Sequence, residues 1–181
     1  MLKQGKRIIT LSVFIVLLFC ASFVFFFQRA QKQSQASAAA PSARTDKALP
    51  QAHLFDQSGA PFNDEALRKG KVVLIFMTLE CGACRTEAEF LTTIVGKHPD
   101  VSYYGVLSTG EKRVVLQEAA EKNLPFKMLY DDGFELAGQL GIRRVPVKLF
   151  LKDGIMKYTW GGATTDEEKK AAFIQYLDDL K

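Results

Sequence analysis

The stretch from residue 51 to 181 of this 181-residue chain is long enough for one domain with a normal core and too short for two. Three cysteines and two histidines, one cysteine lying inside an apolar run, do not assemble a four-ligand zinc site. The net charge of +4 belongs to one end: residues 1–47 hold seven Lys/Arg against one acidic residue and residues 48–181 hold seventeen against nineteen, which excludes a basic nucleic-acid footprint on the domain.

Lys3, Lys6 and Arg7 precede Ile8 to Phe27, a run of uncharged, mostly apolar residues that as a helix spans about 30 Å of hydrocarbon. The pattern predicts a cytoplasmic segment 1–7, a single transmembrane anchor 8–27 and a domain on the outer side. A cleaved signal peptide is the competing reading, with Ala36-Ser37-Ala38 and Ala38-Ala39-Ala40 as small-residue sites. Its apolar core exceeds the usual length and those sites lie far beyond its end, so an uncleaved anchor is the expectation. Cys20 is read as a lipid-facing or packing residue. Residues 28–50, rich in Gln, Ser and Ala, are expected to form a flexible tether, and residues 51–181 the folded domain.

Within the domain, Val72 to Met77 reads as a buried strand and Thr86 to Val95 as a helix. Val101 to Leu107 is a second strand, Val114 to Ala120 an exposed helix with one apolar stripe, and Phe126 to Tyr130 a short strand. Phe134 to Leu140 is a short helix stopped by Gly141. Asp153-Gly154 joins Lys148–Lys152 to Ile155–Thr159 as a hairpin. A last helix begins near Thr165, where Thr165 to Glu168 fits a capping box, and buries Ala172, Phe173, Tyr176, Leu177 and Leu180. The alternation is that of an α/β fold.

The chemistry centres on Cys81-Gly82-Ala83-Cys84, a CxxC pair set between a strand and a helix. A helix N-terminus offers unpaired N–H groups that favour a thiolate, so Cys81 is the candidate nucleophile and Cys84 the resolving thiol, closing a Cys81–Cys84 disulfide. Glu80 beside Cys81 is either a solvated charge or a carboxylate that disfavours the thiolate and raises the thiol pKa, with Arg85 acting oppositely. His53 and His98 are not read as catalytic, and Trp160 is expected to pack in the hairpin.

The order strand, CxxC, helix, strand, helix, then Val145-Pro146, hairpin and final helix resembles the thioredoxin fold from about residue 50 onward. The segment Ile142 to Gly154 is similar to the one that carries that fold's cis-proline. The resemblance implies a central mixed β-sheet flanked by helices, a cis Pro146, and a Val145 whose backbone pairs with an extended substrate beside Gly82 and Ala83. The anchor, Leu54 to Gly59, Gly70-Lys71 and Cys84 to Glu87 resemble the TlpA/ResA-like group of membrane-anchored thiol-disulfide oxidoreductases. That group implies an extracytoplasmic reductant of disulfides in exported proteins, with cytochrome c maturation as the setting of several members. It needs no cofactor and no metal. Its partners are a disulfide-bearing client and a membrane-embedded electron donor, and the chain is expected to be a monomer in a bacterial cytoplasmic membrane. Three positions depart from the pattern: Glu80 stands where Trp is usual, Glu89 where the helix proline is usual, and Ile75 where thioredoxin keeps a buried acid. With Ile75 there, proton removal from Cys84 falls to Glu80 or water. A disulfide oxidase or isomerase, a copper-handling module of the same fold, and a redox-inactive interaction domain are the alternatives.

Overall fold

The computed structural model describes residues 44–180. The anchor predicted at 8–27 and the tether as far as residue 43 lie outside the described residues, among which no helix is long and apolar enough to cross a membrane. The described part is a seven-stranded mixed sheet in the order β1-β7-β6-β3-β4-β5-β2. Its strands are β1 (Arg44–Ala48), β2 (Leu54–Phe55), β3 (Lys71–Met77), β4 (Val101–Leu107), β5 (Lys127–Asp131), β6 (Val147–Lys152) and β7 (Ile155–Gly161). The helices are α1 (Gly82–Thr92), α2 (Lys112–Glu121), α3 (Glu135–Gln139) and α4 (Glu167–Asp178).

Strand β3 is the axis, parallel to β4 and antiparallel to β6. Its uninterrupted apolar run splits by the period of a strand: Val73, Ile75 and Met77 enter one core and Val72, Leu74 and Phe76 the other. The first core also takes Cys84, Ala88 and Leu91 of α1 with Phe173 and Leu177 of α4. Aromatic edges lock α4 onto the sheet, Phe173 lying between Phe90 (5.2 Å) and Phe150 (5.0 Å), and Trp160 meeting Tyr176 at 5.6 Å. Trp160 is thus the packing residue expected of it.

The thioredoxin-like α/β fold is present, with several boundaries moved. Residues 44–48, read as tether, form β1 against β7, Ala48 opposite Ile155, so the folded domain begins at least seven residues earlier than expected. Composition missed this because an edge strand is held by its backbone and needs few apolar side chains. Four of its five residues are exposed, while Thr45 Oγ1 donates to Met156 O (2.6 Å) and Lys157 Nζ meets Asp46 Oδ1 at 2.8 Å. Helix α1 starts at Gly82, four residues before the expected start, because the Cys81 sulfur itself caps it. The last helix is capped one residue later than the Thr165 reading: Asp166 Oδ1 accepts the Lys169 N–H at 2.9 Å. The Asp153-Gly154 hairpin stands as expected, both residues at positive φ (49° and 77°), as a tight right-twisted turn requires.

Candidate redox site

The site lies at the C-terminal end of β3, where the chain turns through Thr78–Glu80 into α1. Cys81 is the N-cap of α1: its Sγ accepts the Cys84 N–H at 3.1 Å, at the end of the helix that favours an anion. It is partly exposed, whereas Cys84 is fully buried. Both are free thiols. The asymmetry follows from the helix, since Cys84 stands on the stripe 84-87-88-91 that packs against the sheet and Cys81 precedes the first turn. Burial pushes the Cys84 thiol up to about 12, with the Cys81 sulfur and the Glu87 carboxylate adding to the shift and the Thr78 backbone opposing it.

The loop before β6 completes the site. The Val145–Pro146 bond is cis, as the resemblance implies, and the Val145 carbonyl oxygen lies 4.0 Å from Cys81 Sγ. Among the described residues the Val145 N–H has no hydrogen-bond partner. Gly82 and Ala83 are exposed beside Cys81, with open space around Gly82. Glu80 and Arg85 are exposed, and among the described residues neither side chain makes a hydrogen bond or ion pair. His53 binds Glu135 on the surface, far along the chain from the thiols, and His98 follows a short 3-10 turn after α1.

Ile75 supplies no acid, but a buried carboxylate lies on the CxxC helix itself, which the reading of Glu80 or water as the acceptor of the Cys84 proton did not include. Glu87, one helical turn beyond Cys84, is fully buried. Lys148 of β6, directly opposite Ile75 in the sheet, is also fully buried and places Nζ 3.0 Å from Glu87 Oε2. Thr164 closes the arrangement, its N–H donating to Glu87 Oε2 (2.7 Å) and its hydroxyl lying 3.1 Å from Oε1. Lys148 Nζ also donates to Gly162 O (2.6 Å) and stands 4.9 Å over the Trp160 ring. Burial holds the Lys148 ammonium below the ordinary lysine range, and attraction to Glu87 works against that. Two signals for this pair were present in the sequence: Glu87 sits on the apolar stripe of the CxxC helix, and Lys148 alternates with Phe150 inside an apolar strand. Among the described residues no group of three or more His, Cys, Asp or Glu side chains is placed to hold a metal ion.

The chain belongs to the AhpC/TSA family, whose pattern it matches over residues 45–163. Among curated proteins none shows significant sequence similarity to it. Its fold is similar to that of Mycobacterium tuberculosis DsbF, with 22% identity and a TM-score of 0.63 over 76% of this chain and 100% of that one. A secreted M. tuberculosis disulfide oxidoreductase homologous to E. coli DsbE matches with 22% identity and a TM-score of 0.58 over 71% of this chain and 96% of that one. StoA of Bacillus subtilis matches with 24% identity and a TM-score of 0.53 over 66% of this chain and 92% of that one.

Proposed function

We propose that this AhpC/TSA-family chain is a thiol-disulfide oxidoreductase of the TlpA/ResA-like kind, anchored by residues 8–27 in a bacterial cytoplasmic membrane with its domain outside. The observation that carries the reading is the division of labour within the pair: one accessible sulfur at a helix N-terminus and a second, fully buried, behind it. The Cys81 thiolate attacks one sulfur of a client disulfide and expels the other as a thiolate. The Cys84 thiolate then attacks the Cys81 sulfur, closing the Cys81–Cys84 bridge and releasing the second client thiolate. Two electrons pass to the client, and the protons of the two protein thiols are returned to its sulfurs or to solvent. Cys84 cannot ionise unaided in so dry a place, and Glu87 is the built-in group one turn away that takes its proton. The free Val145 N–H and its carbonyl offer an extended client segment two backbone partners.

The direction proposed is reduction of exported proteins, apocytochromes c being the candidate client class, with electrons supplied by a membrane-embedded donor because cytosolic reductants do not reach the outer face. Equilibration of the full chain in detergent against thiol buffers tests it. A potential near about −270 mV supports a reductant, and one near about −120 mV makes the protein an oxidase. If no Cys81–Cys84 bridge forms at any poise, the oxidoreductase reading is wrong.

A further inference from the structure

A cavity of about 260 Å3 opens at the C-terminal ends of β3 and β4, beside the redox pair. Met77, Val106, Ala137, Ile142 and Val145 give it an apolar wall, and Thr78, Ser108 and Thr109 line its other side. Val145 belongs both to this wall and to the contact with Cys81, which sets the cavity one residue away from the sulfur that a client disulfide would meet. Two features of its rim stand out. Phe134 is 52% exposed, one of only two large apolar side chains so exposed among the described residues, and it holds φ 59°, a left-handed conformation that aromatic residues rarely adopt. Arg143 and Arg144 are both exposed and make no ion pair or hydrogen bond among the described residues. Among the described residues no acid lines this cavity, and Asp131, which holds the Ser108 hydroxyl, is buried and engaged by the Leu136 and Ala137 N–H groups.

We propose that this cavity is a client subsite, and that the protein selects disulfides whose cysteine neighbours a large apolar side chain flanked by acidic residues. The inference rests on the oxidoreductase reading and adds to it the substrate class. With the client sulfur on Cys81 and its backbone along Val145, a side chain one or two residues away, at about 3.3 Å per residue, reaches the cavity mouth. Its aromatic or aliphatic body packs on Phe134 and Ile142, and carboxylates beside it meet the two guanidinium groups, which bind carboxylates in a planar fork.

The test uses the reduced full chain in detergent and short peptides whose single cysteine is a mixed disulfide with 2-thiopyridine. The flanks are Phe with two Glu, Ala with two Glu, or Phe with two Lys. Each second-order rate is divided by the same protein's rate with neutral 2,2′-dithiodipyridine. The Phe/Glu peptide is expected to react about five- to tenfold faster than the Phe/Lys peptide, the effect of two exposed ion pairs, and the ratio should shrink as salt rises. Arg143→Glu/Arg144→Glu should invert the order, and Arg143→Gln/Arg144→Gln should abolish it should the first variant not fold. Phe134→Ala should remove the preference for Phe over Ala and keep that for Glu over Lys. Equal rates for the three peptides with a normal rate for dithiodipyridine overturn the subsite alone; no reaction with dithiodipyridine overturns the oxidoreductase reading beneath it.

Discussion

Lys148→Met probes the buried ion pair that ties the CxxC helix to the sheet. The substitution keeps an unbranched apolar stem of similar length and removes only the ammonium, which is 3.0 Å from Glu87 and 2.6 Å from Gly162 O. Glu87 is then left fully buried with the Thr164 N–H and hydroxyl as its partners. An uncompensated buried charge of this kind costs about 3–5 kcal/mol, a large share of a total stability of about 5–15 kcal/mol. Glu87→Leu should cost a comparable amount by stranding the lysine. The double variant should return to within about 1 kcal/mol of the parent or exceed it, because the desolvation of both charges disappears together. Urea unfolding of the four reduced proteins at neutral pH gives the cycle. Single variants that each lose less than about 1 kcal/mol, or losses that simply add, would refute the idea that the two charges sustain each other.

The remaining expectations concern the thiols and the caps. Cys81→Ala should abolish disulfide exchange, whereas Cys84→Ala should still attack and accumulate a mixed disulfide with its client, visible by mass spectrometry. With its thiol held at about 12, Cys84 should be alkylated at pH 8 about a thousandfold more slowly than a thiol of ordinary pKa 9.0, and Cys81 should be labelled first. The same shift makes reduced protein lose stability above pH 9, because the unfolded chain gives up a proton that the folded thiol keeps until about 12. Cys84→Ala should remove that part of the slope, at most about 1.4 kcal/mol per pH unit. Asp131→Ala strips the N–H groups of Leu136 and Ala137 of their acceptor at 2.8 and 2.9 Å, and should cost about 2 kcal/mol in urea unfolding.

What the sequence made legible was whatever declares itself by local pattern. The run Val72–Met77, the CxxC pair, the Asp153-Gly154 turn and the cis-proline segment each occupy the place expected. The strand Arg44–Ala48 escaped because its reason for existing is the open edge of β7, a partner more than a hundred residues away. The boundary of α1 moved for a chemical reason: cysteine is not among the usual caps, yet here the Cys81 sulfur does the capping, so the helix begins at the very next residue.

The buried pair is the more instructive omission. Read one segment at a time, Glu87 is an ordinary helix-forming residue and Lys148 an ordinary strand end, and each is harmless if it points to water. Only the two periods together expose the conflict: position 87 shares a face with 84, 88 and 91, and position 148 shares a face with 150. Two opposite charges, each forced by its own period into one core, have a low-energy solution only if they meet. The place where they meet is opposite Ile75, the position at which thioredoxin keeps its own buried acid. A buried acid thus stands on the helix and not on the strand, one turn beyond Cys84.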